Sequence, residues 1–484
     1  MHHSDHVIPD QPRPLPDGPL YFVGVGGAGM SSIAQVLAER GRRIAGADPG
    51  IALVVKARLE AVGVEVYTQH DDSQLKDAVA VVVSDAIPAA NPEVRAAQAK
   101  GLPIFRRPEV LGSIVNAGRG IAIAGTHGKT TTTGMVASIL LAAGLDPTIL
   151  IGGDLPAIGG NARNGKSEFV VAESCEAYDG FLYLHPEIAV VLNIEADHLD
   201  YHGTEEHVFD SFKRFIHQIK PKGTLIASEV NDALSRMFPA GSRIGDQNPH
   251  LGGIVSTGFA GDIWTEKFEA HNGGSAFVAV SGNDFHEPIT LKVPGRHNVL
   301  NALAAIGVAR TLGIAPEHLV AGLEAFTGTG RRFERIGQAQ GVLIVDDYAH
   351  HPTEIRATLA AARSAYPDRR LVAVFQPHLP SRTRDLLDDF AGALTAADAV
   401  YVTDIYLARE QPIPGISSEV LVDRIQSRRP DLSSAYIADK NDLPPRLAAE
   451  VRDRDLVLTM GAGDIRAAGE GLLAILSTGD NHGG

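Results

Sequence analysis

The chain has one cysteine, Cys175, in 484 residues, so no intrachain disulfide can form. That fits a reducing cytoplasm, the compartment expected for it. It has no run of about 18 apolar residues, so no helix is expected to span a bilayer and no membrane partner is expected. It has no basic excess: 43 Lys and Arg stand against 58 Asp and Glu, a net charge of −15. Neutralising nucleic-acid phosphates needs a basic face, so nucleic acid is not expected as a partner. A local basic pocket for an anionic ligand is still allowed. The chain also lacks short repeats and low-complexity tracts. The opening "MHHSDHVIPDQPRPLPDG" lacks an apolar core and is rich in proline. It is expected to be a disordered tail over residues 1–18, neither signal peptide nor anchor. His2, His3 and His6 read as part of that tail rather than as metal ligands.

What is present is an ordinary globular composition, 44% hydrophobic and 21% charged, on a chain too long for one core. Apolar runs alternate with helical stretches. "LYFVGV", "RIAGAD" and "VAVVVSDAI" read as strands of one βαβ unit. "GRGIAIAG" opens a second unit, with later strands "EFVVAESCE" and "EIAVVLNIEADHLD". A helix near Thr204 carries Val208, Phe212, Phe215 and Ile219 on one face, and residues 251–293 suggest hairpins. "VLIVDD", "LVAVFQ", "AVYVTD" and "DLVLTM" form a third unit. The fold class is α/β with three domains: a Rossmann-like domain over 19–117, a central phosphate-loop ATPase-like parallel sheet over 118–332, and a second Rossmann-like domain over 333–484.

Two glycine loops carry chemistry. Gly24-Val25-Gly26-Gly27-Ala28-Gly29 fits GxGxxG between a strand and a helix, with Asp48 nineteen residues past its last glycine. That is the dinucleotide fingerprint, in which backbone N–H groups and a helix dipole hold a diphosphate. Its readings are NAD, another nucleotide diphosphate, or a tight turn without ligand. The second loop, Gly125-Thr126-His127-Gly128-Lys129-Thr130, is a shortened phosphate loop. The full motif needs a glycine where Ile123 stands. It keeps Gly128 for close approach, Lys129 as a cation for β and γ phosphates, and the Thr130 hydroxyl for Mg²⁺. Its bland reading is a helix start at which Thr131 and Thr132 cap. Acidic residues Glu173, Glu176 and Asp197 lie at strand ends of the same unit, where ligands of open parallel sheets sit. Glu173 is the first choice for Mg²⁺, which takes oxygen ligands. His198 is a less usual ligand for that ion.

"AGTHGKTTTTGM", "NIEADHLDYHG", "PGRHNVLNALAA", "GRRFE", "DDYAHHPTEI" and "FQPH", in this order, resemble the Mur ligase family of peptidoglycan synthesis. "FVGVGGAGMSSIA", "IPAANPEVRAA" and "IYLAREQPIPGI" are similar to its alanine-adding branch, and the match runs from about residue 20 to 470. The resemblance implies an ATP-dependent ligase that joins L-alanine to the lactyl carboxylate of UDP-N-acetylmuramate through an acyl phosphate. It moves the first loop from NAD to the UDP-sugar, with Gly26, Gly27, Ala28, Gly29, Asp48 and Ser84 in that site. ATP falls to Gly125, Thr126, His127, Gly128, Lys129, Thr130, Thr131, Asn298, Arg332 and Asp347. Mg²⁺ falls to Thr130, Glu173 and His198. Tyr348, His350, His378 and Arg382 face the amino acid. Lys129, Glu173, His198, Arg332 and His378 carry the catalysis, with His378 or His350 as base. Partners are then UDP-N-acetylmuramate, ATP and L-alanine, on a monomer or homodimer.

Two departures from the family pattern stand out. "ESCEAYD" replaces "EADESD", putting Tyr178 where an acid is usual. "FQPHLPSRTRD" replaces "FQPHRYTRTRD", which removes an arginine and leaves Arg382 and Arg384. Phe212, beside Lys213, stands where sister ligases carry a modified lysine, and the alanine branch likewise lacks that lysine. The alternatives are a sister ligase that adds another amino acid or a recycled tripeptide, and, more remotely, an NAD-dependent oxidoreductase fused to an ATPase.

Overall fold

The computed structural model describes residues 13–197, 199–228, 250–271, 273–408 and 410–479. The expected tail therefore lies outside the described residues up to 12. Residues 13–18 are held rather than loose: Arg13 pairs with Glu109 at 2.9 Å, and Arg42 donates to the Pro16 carbonyl. By contact density the chain forms two compact units. One comprises residues up to 266 with 278–289 and 300–326. The other comprises 267–277, 290–299 and everything from 327.

Three sheets give the expected α/β architecture. The first is wholly parallel, in the order Glu65–Tyr67, Ile44–Ala47, Leu20–Val23, Ala80–Val83, Ile104–Arg106. Its order reverses between Leu20–Val23 and Ala80–Val83, which opens a crevice at their carboxyl ends. In the second sheet, the strand Arg119–Ala124 runs parallel to Phe169–Glu173 on one side and Ile188–Val191 on the other. Thr148–Leu155 and Gly160–Arg163 extend it beyond Phe169–Glu173, while Thr224–Ser228, Gly253–Gly258, Ile263–His271, Gly274–Ser281 and Phe285–Leu291 follow in order on the other flank. The third sheet runs Glu334–Ala339, Val342–Asp347, Asp455–Met460, Arg370–Phe375, Ala399–Val402, Ser433–Tyr436, parallel except for its first pair.

The helix Arg107–Asn116 joins the first two sheets. Val110, Leu111, Ile114 and Val115 are buried in a single apolar core that also takes Phe22 from the first sheet and Ala122 from the second. Gly112 allows it to lie on the Tyr183 backbone, since a Cβ there would stand 2.5 Å from the Tyr183 carbonyl oxygen. The helix Glu205–His217 follows its pattern. The Thr204 hydroxyl accepts from the His207 N–H, Glu205 and Glu206 occupy the positive end, and Arg214 and His217 occupy the negative end. Its Phe212 and Phe215 pack on Phe181 at 5.0 and 4.8 Å between ring centroids. That contact anchors the chain just after Glu176.

The helix Lys129–Ala142 is buried almost all round, more than the spacing of Val136, Ile139 and Leu140 suggests. The reason is a second helical layer: Pro316–Ala325 lies on it through Gly322, where a Cβ would stand 2.4 Å from Ile139 Cα. Ile139 is backbone-locked in its own helix and cannot give way. Gly322→Ala should therefore destabilise by roughly 1–3 kcal/mol, read as a drop of a few degrees in the thermal unfolding midpoint. An unchanged midpoint would contradict this packing.

Candidate active site

The phosphate-loop segment runs from the strand Arg119–Ala124 through Gly125–Gly128 into the helix Lys129–Ala142. Gly125 and Gly128 take φ of +138° and +83°, which side chains rarely adopt. Gly128 also faces Asn301, whose Oδ1 would lie 2.5 Å from a Cβ. Asn193 fixes the loop from the next strand end. Its side-chain oxygen accepts from the His127 N–H at 2.8 Å, and its amide donates to the His127 carbonyl at 3.1 Å. His127 Nε2 lies 3.3 Å from Glu195 Oε2, and the Thr126 hydroxyl accepts from the Glu195 N–H.

Lys129 folds back over this loop. Its ammonium donates to the carbonyls of Gly125 and Thr126 at 2.5 and 3.0 Å and to both oxygens of Glu176 at 3.1 and 2.9 Å. Burial works to lower its pKa, but the neighbouring Glu176 and Glu173 carboxylates outweigh that, and the ammonium is held above its ordinary range. Beside it, the Thr130 hydroxyl donates to Glu173 at 2.9 Å, and the Gly152 N–H donates to the same carboxylate at 2.7 Å. Between these acids, Cys175 has its thiol pushed up to about 11 by burial and by Glu176. It therefore stays protonated at neutral pH and is no nucleophile. The next residues are bent sharply: Tyr178 and Asp179 have φ of 54° and 57°. Asp179 is fastened by the Tyr201 hydroxyl at 3.3 Å, by the Ser211 hydroxyl, and by Arg214 at 3.5 Å. His198 lies outside the described residues.

The other glycine loop lies at the crevice of the first sheet. Asp48 holds it closed: the Gly26 N–H donates to one carboxylate oxygen at 3.0 Å and the Gly50 N–H to the other at 2.9 Å. Gly27 and Ala28 remain exposed, while the Asn161 side chain donates to the Ala28 carbonyl at 2.8 Å. Ser84 stands on the adjacent strand end, its hydroxyl accepting from the Ala86 N–H at 3.2 Å.

The remaining expected residues belong to the second compact unit. Asn298 is buried and donates to the Pro294 carbonyl at 2.7 Å. Arg332 sits in a strained turn, with Arg331 and Phe333 on either side at φ of 59° and 49°. Asp347 stabilises that turn by accepting from the Phe333 and Ala349 N–H groups, both at 2.8 Å. The Arg332 guanidinium lies 3.7 Å from Glu354 and 5.1 Å from the Tyr348 ring centroid. Glu354 in turn accepts from the His350 N–H at 2.9 Å and the His351 N–H at 3.2 Å. Tyr348, His350 and His378 form a run of rings at 5.3 and 6.0 Å, and Arg382 Nη1 lies 3.5 Å from His378 Nδ1. Arg384 instead turns to Asp385 at 2.7 Å. Phe212 is fully buried, and Lys213 is paired with Asp210.

Sequence reasoning missed Asn193, Asn301 and Glu354. Asn301 was within reach, since it lies three residues after Asn298 in the same helix; the face it presents was not. Asn193 acts on the His127 backbone, a role that no residue spacing marks, whereas Glu354 stands three residues after the N-cap His351 and behind Pro352, a capping-box spacing that was readable.

The fold and this loop define a nucleotide-binding α/β protein. Family descriptions match along the chain: "Mur ligase family, catalytic domain" at 19–119, "Mur ligase middle domain" at 123–309, and "Mur ligase, glutamate ligase domain" at 331–463. The chain is 44% identical to UDP-N-acetylmuramate–L-alanine ligase of Geotalea daltonii, over 94% of this chain and 97% of the relative. Among solved structures it is similar to UDP-N-acetylmuramate–alanine ligase of Thermotoga maritima, with a TM-score of 0.80, 26% identity, and coverage of 95% and 99% of the two chains. A murein peptide ligase of Psychrobacter arcticus gives 0.71 at 25% identity, covering 95% and 98%. The chain belongs to the Mur ligase family.

Two buried groups of the second unit titrate in opposite senses. Burial pulls His297 down to about 4, so its neutral form is favoured in the fold. Stability from that group is complete above about 6.5 and is lost as pH falls toward about 4. Burial raises Asp347 to about 6, partly offset by Arg332. Stability from Asp347 therefore falls as pH rises from about 4 to about 6. His297→Asn should flatten the loss of unfolding midpoint between pH 7 and 5, and Asp347→Asn should steepen it. Parallel shifts of both variants at all pH values would contradict these assignments.

Proposed function

We propose that this chain joins L-alanine to the lactyl carboxylate of UDP-N-acetylmuramate at the expense of ATP, in cytoplasmic peptidoglycan-precursor synthesis. The observation that carries this reading is the pairing of Lys129 with Glu176 and of Thr130 with Glu173 on adjacent strand ends, in a chain similar over nearly its whole length to alanine-adding ligases. Residues 19–117 hold the UDP-sugar, 118–332 hold ATP, and 333–484 receive the amino acid. Among the described residues no helix is long and apolar enough to cross a membrane.

A carboxylate is a poor acyl donor, so it must be activated. One carboxylate oxygen attacks the γ-phosphorus of ATP, and the bond to ADP breaks. An acyl phosphate results. The protein contributes positioning and charge here rather than covalent chemistry. Gly128 leaves room for a phosphate against the loop amides. Lys129, released from the loop carbonyls and Glu176, neutralises the transferred phosphoryl, and Arg332 adds a second positive charge. Oxygen donors suit Mg²⁺: the Thr130 hydroxyl and the Glu173 carboxylate would hold it, joined by His198, and when bound it supplies further charge neutralisation at the phosphates.

The alanine nitrogen then attacks the acyl carbon. The tetrahedral intermediate collapses by breaking the carbon–oxygen bond, and phosphate leaves carrying one former carboxylate oxygen. The amine gives its proton to His378 or His350. Tyr348 lies beside His350 and Arg382 beside His378, and Arg382 meets the alanine carboxylate.

The activity is tested by phosphate release from ATP with UDP-N-acetylmuramate and, separately, L-alanine, glycine, L-serine or the recycled tripeptide. L-Alanine should stimulate most. A tripeptide preference would move the chain to the recycling sister, and no stimulation by any acceptor would sink the ligase reading. Lys129→Ala should lower kcat by about 10²–10³ through lost charge stabilisation, with the unfolding midpoint recorded alongside. Near-normal turnover would mean that the loop at 125–130 is not the triphosphate cradle.

A further inference from the structure

Arg331 takes up the left-handed region at φ of 59°, a conformation that persists only where the surroundings enforce it. Its backbone is fixed at both ends. The N–H donates to Glu334 at 2.7 Å, and the carbonyl accepts from the Tyr348 N–H at 2.7 Å. Its side chain reaches two strand ends at once. Nε donates to Asp346 at 3.0 Å, at the end of Val342–Asp347. Nη1 and Nη2 donate to the carbonyls of Gly463 and Gly461 at 2.9 and 2.8 Å, just past the end of Asp455–Met460. The guanidinium also lies 4.9 Å from the Tyr348 ring centroid, the same ring that the Arg332 guanidinium approaches at 5.1 Å.

The acceptors are themselves fixed. Asp346 is fully buried, and its other oxygen accepts from the Thr459 hydroxyl at 2.8 Å. Arg466 holds the far side by donating to Glu334 at 2.6 Å. Gln376 clasps the loop 461–464: its side-chain oxygen accepts from the Asp464 N–H at 3.0 Å, and its amide donates to the Asp464 carboxylate at 3.1 Å. Gln376 stands two residues before His378. Arg331 therefore ties together the turn that carries Arg332, the segment that carries Tyr348 and the loop that braces the approach to His378. A lysine could hold one of these partners but not all of them, because only a guanidinium presents a planar fork.

We propose that Arg331 is a positioning residue that sets Arg332 against the transferred phosphoryl and Tyr348 against the amino-acid acceptor. This rests on the reading of Arg332 as the phosphate-facing charge and of Tyr348 as an acceptor-facing ring. Three N–H groups of the Arg331 guanidinium are committed to protein acceptors, so its effect is exerted through its neighbours.

The test uses the full chain. Arg331→Lys should lower kcat by about tenfold or more and raise the KM for L-alanine by a similar factor, while the KM for UDP-N-acetylmuramate stays within about twofold. A merely structural loss would lower the unfolding midpoint and the active fraction and leave every KM unchanged. A double-variant cycle with Arg332→Gln reads the route of the effect. At saturating L-alanine, Arg331→Lys should lower kcat by less than about twofold in the Arg332→Gln background, since the group it positions is already gone. Should Arg331→Lys fail to fold, Thr459→Val removes only the hydroxyl bond to Asp346 and should show the same split at about threefold. Unchanged constants, a uniform loss with no rise in the KM for L-alanine, or factors that multiply in the double variant would overturn the assignment. Near-normal turnover of Arg332→Gln alone would mean that the phosphate-facing reading of Arg332 is wrong, and the Arg331 assignment would fall with it.

Discussion

A buried ammonium bound to a buried carboxylate holds the centre of this protein. Lys129 is 12% exposed and Glu176 is 3% exposed at the side chain. Such a pair is costly to desolvate and costly to break, since removal of one partner strands the other charge. The chain around it is built to keep both in place. Glycines at 125 and 128 let the loop fold over the lysine, and Asn193 pins the loop from the neighbouring strand end. On the other side, Phe181 wedged against Phe212 and Phe215 fixes the segment that follows Glu176. The pair keeps the ammonium folded back over the loop carbonyls.

The two glycine loops solve one problem at different depths. Gly24–Gly29 is a shallow, exposed turn closed by Asp48 and flanked by Arg107. Gly125–Gly128 is deeper, with its lysine enclosed by carbonyls and acids. Both loops stand at carboxyl ends of parallel strands, and the helix Arg107–Asn116 ties their sheets into a shared core. The two loops are thereby carried on sheets that share one buried core.

Most of the fold was legible because its signals are local. Apolar runs ending in glycine or acid marked the central strands, and Thr204 followed by Glu205 and Glu206 marked a helix start. Edge strands were not legible: Glu334–Ala339 and Ser433–Tyr436 are short and half-exposed, so their composition carries no apolar run. In the site, Lys129, Thr130, Glu173 and Arg332 were readable from motif order. Asn193 was not, because it acts on the His127 backbone from another strand end, and Asn301 was not, because its closeness to Gly128 exists only in the tertiary fold. The "ESCEAYD" departure was visible as a substitution, but its meaning was not. Tyr178 and Asp179 turn into the left-handed region, so that Asp179 becomes an anchor for the turn.

The central claim is that the shortened loop serves to phosphorylate a carboxylate. It is tested most directly by placing ¹⁸O in both carboxylate oxygens of UDP-N-acetylmuramate and measuring the mass of the phosphate released with L-alanine and ATP. One ¹⁸O atom in each phosphate is the result predicted, since the oxygen that attacks the γ-phosphorus leaves with it. Phosphate free of label, formed alongside the amide product, would contradict the account.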